Sequence, residues 1–278
     1  MKVIALISGG KDSTFNMMEC VKRGHEIVAL ANLRPPNSVS ARNERIDDGD
    51  ENNKKELEQE LDSYMYQSVG NEMLEMYAQA MDLPLYRADI RGQVLNTKLD
   101  YEPDDENDEV EDLYRLLAHV KEDMASKHGI QVEAVSSGAI FSTYQKNRVE
   151  NVCKRLGLES LAYLWMRNQY ELLTDMIESN IEAILIKVAC IGLSPHKHLG
   201  KTIGELKPYL HELEGKYGIN MCGEGGEYES LTLDCPLFKK KRIVVDDTQL
   251  CIHSNDAFAP VGYLIFKKFH LEDKINSN

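Results

Sequence analysis

An apolar run that enters a glycine turn constrains this chain more than any other feature. Residues 3–7 are consecutive apolar residues, and Ser-Gly-Gly-Lys-Asp-Ser follows at residues 8–13. This order predicts a buried strand, a tight turn and then a helix. Adjacent glycines let the backbone approach an anion closely, and the free N–H groups of a helix's first turn point towards it. The pattern therefore predicts a phosphate site, to which Lys11, Ser8 and Ser13 add a cation and two hydroxyl groups.

Asp12, within the same turn, needs a separate explanation because a carboxylate repels phosphate. It either caps the start of the helix or acts through Mg²⁺, a hard cation that bridges carboxylate and phosphate oxygens. The magnesium role is the preferred interpretation.

The motif is neither a Walker A loop nor a G-x-G-x-x-G dinucleotide fingerprint, since its two glycines are adjacent and the lysine follows at once.

Strand and helix patterns alternate over the first two thirds of the chain. Apolar runs of strand length occupy residues 3–7, 26–33, 84–88, 131–135, 162–165 and 181–188. Helical patterns occupy residues 14–23, 61–81, 109–127, 142–156 and 167–179. Strands that alternate with helices predict an α/β fold with a doubly wound parallel sheet, whose ligand binds at the carboxyl ends of the strands.

The character of the sequence changes after Val188. Glycine, proline and histidine residues interrupt the pattern, and β-rich segments follow at residues 242–245 and 261–269. We therefore expect a phosphate-binding domain at residues 1–165 and a smaller α+β domain at residues 166–278. The stretch at about 37–60 is rich in Asp, Glu, Asn and Lys, which predicts a mobile, solvated acidic insertion in the first domain.

Composition narrows the classes of function. The chain has 278 residues and no apolar run near the ~20 residues that span a bilayer, so no membrane association is expected. Its 6 cysteines form no C-x-x-C pair, which favours reduced thiols in a cytoplasmic protein. A net charge of −14 argues against general binding of nucleic acid. The oligomeric state is left open.

A second unusual stretch, residues 220–230, holds three carboxylates and three glycines between Gly223 and Glu229. Glu227 and Glu229 alternate, so an extended strand would point both to one side. Clustered carboxylates bind a cation, bind a charged amine or are solvated. A glycine-rich surface turn with exposed acids therefore stays open as an alternative.

Both stretches resemble motifs of one enzyme family. Residues 8–13 resemble the PP-loop of the ATP pyrophosphatases, whose fold is a PP-loop/HUP-type Rossmann-like sheet. Residues 223–230, Gly-Glu-Gly-Gly-Glu-Tyr-Glu-Ser, resemble a motif of one subfamily, the diphthine–ammonia ligases (diphthamide synthetases). Further similar segments are found at residues 30–33, 61–67, 138–140, 144–153, 161–165, 198–201 and 233–236. The resemblance covers nearly the whole chain except the acidic insertion.

The resemblance implies the last step of diphthamide synthesis. The substrate would be diphthine, a modified histidine on translation elongation factor 2, and the cofactors would be ATP and Mg²⁺, with ammonium as co-substrate. The diphthine carboxylate would attack the α-phosphorus of ATP and release pyrophosphate, and ammonia would then displace AMP to form the amide. The first domain would bind ATP and the second the substrate.

The resemblance also implies roles for individual residues. The catalytic residues would be Lys11, Asp12 and Ser13, with Asp12 also holding Mg²⁺. The nucleotide would be bound by Ser8, Gly9, Gly10, Lys11, Asp12, Ser13, Ala31, Asn32, Leu33 and Gly138. The substrate would be bound by Tyr144, Arg148, Glu224, Glu227, Tyr228 and Glu229, where acids and an aromatic ring suit the trimethylammonium group of diphthine.

Two other functions fit the same loop. A tRNA-modifying PP-loop ligase would need a basic face or a cysteine pair, and this acidic sequence shows neither. A non-catalytic nucleotide-binding sensor would bind ATP without releasing pyrophosphate, but it would leave residues 223–230 without a purpose.

Overall fold

The structure, a computed structural model, describes residues 1–34, 69–95, 101 and 105–274. The predicted acidic insertion at residues 37–60 and the first part of the predicted helix at 61–81 lie outside these residues. Five strands form a parallel sheet in the order β3-β2-β1-β4-β5. They are β1 (Lys2–Leu6), β2 (Glu26–Arg34), β3 (Leu85–Asp89), β4 (Ala134–Ser136) and β5 (Glu159–Leu161).

The connections of this sheet are helical, as parallel strands require. They include α1 (Lys11–Lys22), α2 (Leu74–Met81), α3 (Glu109–His128) and α4 (Thr143–Leu156), and a 3-10 turn at Asn71–Met73 precedes α2. The predicted α/β fold is confirmed.

The strand order reverses beside β1, because β2 lies on one side of it and β4 on the other. Leu6 pairs with Ala31 of β2, and Ala5 pairs with Ser136 of β4. The carboxyl ends of these three strands therefore meet at one edge. Open α/β sheets bind their ligands in this crevice.

The C-terminal part of the chain forms an antiparallel sheet in the order β7-β6-β9-β8. Its strands are β6 (Glu182–Val188), β7 (Tyr228–Asp234), β8 (Lys241–Ser254) and β9 (Val261–Asp273). Its helices are α5 (Gln169–Glu178), α6 (Pro195–His198) and α7 (Ile203–Tyr217). No helix among the described residues is long and apolar enough to cross a bilayer.

One hydrophobic cluster joins the two sheets. It contains Val3 of β1, Leu185 of β6 and Leu231 of β7, each with 0% exposure. A second cluster covers the other face of the parallel sheet and packs Ile4 against Leu117 of α3. Because the sheets share a core, the boundary between residues 165 and 166 stays a prediction.

The structure differs from the sequence predictions at one strand and at one helix. The strand expected at 162–165 is wrong, since β5 lies at Glu159–Leu161 and a turn follows. The side chain of Asn16 explains the turn, because its Nδ2 donates to the Leu161 carbonyl at 2.8 Å and its Oδ1 accepts the Tyr163 N–H at 2.8 Å. Helix α7 was not expected, although a capping box of Thr202 and Glu205 starts it.

Tyr77 of α2 links the first loop of the parallel sheet to β7. Its hydroxyl donates to the carbonyl oxygens of Gly9 and Thr232, and its side chain is fully buried. We expect Tyr77→Phe to lower the free energy of unfolding by about 1–2 kcal/mol, because a buried hydrogen bond is lost. Urea denaturation measures the change. Tyr217→Phe is the control, since that side chain is 52% exposed, and an equal midpoint for both variants would contradict the expectation.

Candidate active site

The loop between β1 and α1 is shaped by its own polar groups. Gly9 has φ +89°, a left-handed conformation that favours glycine. The N–H of Ser8 donates to Ser13 Oγ at 3.4 Å, and the N–H of Gly10 donates to Ser8 Oγ at 3.3 Å. Gly10 precedes α1 without a side-chain cap. The helix therefore begins in the manner of an anion-binding N-terminus.

A pocket lies at the point where the strand order reverses. Its lining residues come from the end of β1 and the loop after it, the start of α1, the end of β2, the loop after β4, helices α3 and α4, and the segment before β7. They are Leu6, Ile7, Ser8, Asp12, Ser13, Ala31, Asn32, Leu33, Leu113, Ser137, Gly138, Gln145, Val149 and Glu224. Of the predicted nucleotide ligands, those on this lining are Ser8, Asp12, Ser13, Ala31, Asn32, Leu33 and Gly138. Gly9, Gly10 and Lys11 are not among the lining residues.

Lys11 is buried beneath the acidic loop, which we define as residues 220–227. Its side chain is 2% exposed, and Nζ contacts the Asp12 carboxylate at 2.9 Å and the Cys222 carbonyl oxygen. The Tyr228 ring lies 4.9 Å from Nζ. Burial alone would lower the pKa of Lys11, but the Asp12 carboxylate reverses this and raises it, so the ammonium stays charged.

Asp12 is not the cap of α1, because Gly10 holds that position without a side-chain bond. The capping alternative for this carboxylate is therefore wrong. One oxygen, Oδ2, accepts from Lys11. The other, Oδ1, is buried and has no hydrogen-bond partner among the residues that the structure describes. An oxygen in this state suits a cation that enters with a ligand.

The three acids of the second motif have three different sets of contacts. Glu224 accepts the backbone N–H groups of Ile140 at 3.3 Å and Phe141 at 2.9 Å, and it lines the pocket. Burial and then the charge of Asp12 raise the pKa of Glu224, while the two N–H groups oppose this. Of the three acids, Glu224 is the one that lines the pocket together with the predicted nucleotide ligands.

Glu227 and Glu229 do not line that pocket. Glu227 accepts the N–H groups of Asn220 and Gly225, both at 2.7 Å, and so holds the acidic loop closed. Glu229 pairs with Lys187 of β6 at 3.1 Å. Their positions stabilise the acidic loop and its junction with β6.

Tyr228 is buried, with 4% exposure, and its hydroxyl donates to the Met221 carbonyl at 2.6 Å. Its ring lies under Lys11. Tyr228 does not line the pocket, and its contacts with Lys11 and Met221 place it between the start of α1 and the acidic loop.

Tyr144 and Arg148 lie on α4, one turn apart. Arg148 is fully buried, and its guanidinium carbon lies 3.2 Å from the Tyr144 ring centre. Neither residue lines the pocket. The face of α4 that does so carries Gln145 and Val149, which are also four residues apart. Helical spacing alone does not say which of the two neighbouring faces turns inward.

Sequence reasoning missed several lining residues: Leu6, Ile7, Leu113, Ser137, Gln145 and Val149. Leu6, Ile7 and Ser137 lie at the ends of predicted strands, so the rule that ligands bind at carboxyl edges could have found them. Leu113 had no such signal, because a leucine on an amphipathic helix predicts core.

Gly138 follows β4 at a close approach to α1. A Cβ atom there would lie 2.6 Å from the Ser13 backbone nitrogen. We expect Gly138→Ala to displace the start of α1 and to weaken nucleotide binding at least about tenfold, because a backbone contact cannot yield as a side chain does. Calorimetric titration with ATP measures the loss.

The matched control for Gly138 is Gly215→Ala in α7, where a Cβ would meet nothing within 4 Å. Alanine favours a helix over glycine by about 0.5–1 kcal/mol, so this variant should be as stable as the parent or more so. Unchanged ATP affinity in Gly138→Ala would contradict the assigned contact.

Glu109, at the start of α3, predicts a pH dependence of stability. Burial raises the pKa of Glu109 to about 7. The negative charge of the neighbouring Asp108 adds to this effect, and the positive charge of Arg148 opposes it. Its carboxyl is therefore protonated more readily when folded, so its stabilising contribution is lost as pH rises through about 7. We expect Glu109→Gln to gain stability relative to the parent as the pH rises from about 4.5 to about 7, and to keep that gain at higher pH. Thermal unfolding across that range, with the exposed Glu122→Gln as control, checks the slope, and parallel curves would refute it.

Comparison with known proteins connects the two motifs to one family. The diphthamide synthase N-terminal domain model matches residues 55–160, and the C-terminal domain model matches residues 168–268. The diphthine–ammonia ligase of Homo sapiens is 58% identical over 277 residues, which cover 100% of this chain and 95% of that protein. The enzyme of Danio rerio is 57% identical, with 99% and 98% covered. The one of Schizosaccharomyces pombe is 53% identical over 92% of this chain but only 38% of its own length. The resemblance seen in the sequence is thereby confirmed, and the chain belongs to the diphthine–ammonia ligase family, a family of enzymes.

Proposed function

We propose that this chain catalyses the ATP-dependent amidation of diphthine on translation elongation factor 2. The observation that carries the proposal is the meeting of two motifs at one pocket. We call residues 8–13 the phosphate loop. Asp12 and Ser13 of this loop and Glu224 of the acidic loop line the pocket together. Family membership supports the reaction class, and the pocket brings residues of both motifs together.

The phosphate loop would bind the pyrophosphate end of ATP, and the strand ends at Ala31 and Leu33 would bind the adenine. Asp12 is the candidate magnesium ligand. The described residues include no cluster of three or more His, Cys, Asp or Glu side chains that could hold a metal. A single carboxylate with a partnerless oxygen still fits magnesium, which nucleotide phosphates and water largely coordinate.

The reaction would proceed in two displacements. The diphthine carboxylate attacks the α-phosphorus, so a carboxylate–phosphorus bond forms and the bond to pyrophosphate breaks. Ammonia then attacks the acyl carbon, loses a proton, and AMP leaves with the electrons of the acyl–oxygen bond. The chain's part is to position the reactants and to balance phosphate charge. Glu224 would face the trimethylammonium group of the substrate.

The domain roles follow the same proposal. Residues 1–165 would bind ATP and residues 166–278 would present the substrate, although β7 also supports the phosphate loop. We place the reaction in the cytoplasm and without nucleic acid. The free state of all the cysteines supports a reducing compartment.

The test is release of pyrophosphate from ATP in the presence of elongation factor 2 that carries diphthine. We expect release that requires this substrate, and amide formation that requires ammonium, seen by mass spectrometry of the modified residue. Glu224→Gln should raise the KM for the elongation factor about tenfold or more, because a charged contact is lost, and change the KM for ATP far less.

The control for Glu224 is Glu178→Gln, an exposed acid at the end of α5. ATP binding without any pyrophosphate release on the authentic substrate would contradict the proposal and would favour a nucleotide sensor instead.

A further inference from the structure

Ser137 is a buried residue on the pocket wall whose side chain the reaction scheme does not yet use. It follows β4 directly and is 3% exposed. Its Oγ has no hydrogen-bond partner within the described part of the chain, and the residue lines the pocket. A buried hydroxyl without a partner is unfavourable, because it has lost its hydrogen bonds to water.

The neighbouring Ser136 shows that β4 does satisfy a hydroxyl that faces the core. Ser136 Oγ accepts Nδ2 of Asn16 at 2.7 Å. Since alternate residues of a strand face opposite sides, Ser137 turns away from that partner. Two adjacent serines thus differ in one respect: one hydroxyl is bonded inside the protein and the other is held at the pocket.

The backbone fixes Ser137 beside the phosphate loop. The N–H of Ser137 donates to the Leu161 carbonyl of β5 at 3.2 Å. The next residue, Gly138, packs so closely on α1 that a Cβ would reach the Ser13 nitrogen at 2.6 Å. The side of the pocket formed by β2, where the adenine is expected, lies across β1. Ser137 is therefore on the phosphate side.

We propose that the Ser137 hydroxyl donates a hydrogen bond to a phosphate oxygen of the bound ATP. This inference rests on the proposed use of ATP and adds a ligand that neither motif contains. A charged acceptor makes such a bond stronger than one between neutral groups. It also gives the buried hydroxyl a partner in the nucleotide complex.

The test compares Ser137→Ala with the parent by calorimetric titration with ATP and with adenosine. We expect ATP to bind about tenfold to a hundredfold more weakly to the variant, and adenosine to bind equally to both proteins. We also expect the Tm of the variant without nucleotide to equal or exceed that of the parent, because a partnerless polar group has been removed. A purely structural serine would lower the Tm instead.

Ser160→Ala is the matched control. Its Oγ is likewise buried, but Ser160 lies in β5 and does not line the pocket. It should leave the affinity for ATP unchanged. Three results would each overturn the inference. The first is equal affinity of the parent and Ser137→Ala for ATP, and the second is a loss of affinity for adenosine as large as that for ATP. The third is a lower Tm of the variant together with weaker ATP binding. If the parent itself binds no ATP, the proposed function fails and this inference fails with it.

Discussion

The buried ammonium of Lys11 holds together parts of the chain that are far apart in sequence. It bonds Asp12 beside it and the Cys222 carbonyl in the acidic loop. A buried charge is tolerated only when it is paired and hydrogen-bonded, so this contact fixes where the acidic loop can lie. Backbone bonds reinforce it, since Ser230 Oγ accepts the Lys11 N–H at 3.2 Å and the Gly9 carbonyl accepts the Thr232 N–H at 2.9 Å. The two motifs are thus one structural unit.

This unit lies beside β1, at the point where the strand order of the parallel sheet reverses. The ends of β1, β2 and β4 supply the floor, and Glu224 of the acidic loop supplies a carboxylate at the wall. The antiparallel sheet is packed against α1 through the shared core, so it supports the phosphate loop as well as carrying its own residues. Glu227 contributes by closing the acidic loop from within.

Local sequence patterns predicted the strands, turns and helices that neighbouring residues determine. The apolar run and the glycine turn indicated β1, the loop and a helix after it, although that helix begins at Lys11 and not at the predicted residue 14. Residues 223–230 indicated the stretch from which Glu224 reaches the pocket. The turn after β5 could not be predicted, because it depends on Asn16, which lies 147 residues before Tyr163 in the sequence. The faces of α4 also depended on tertiary packing, so Gln145 rather than Arg148 reached the pocket. Ser137 was not predicted, because only the three-dimensional structure shows that its buried hydroxyl has no hydrogen-bond partner among the described residues.

The contact between the phosphate loop and β7 has a consequence for how the protein is made. Lys11 and Ser230 are 219 residues apart, so the loop leaves the ribosome long before the strand that supports it. Until β7 has been synthesised and has folded onto α1, the backbone of Gly9 and Lys11 lacks these partners. An unfinished chain therefore lacks both of these hydrogen bonds to the loop until most of the protein has been synthesised.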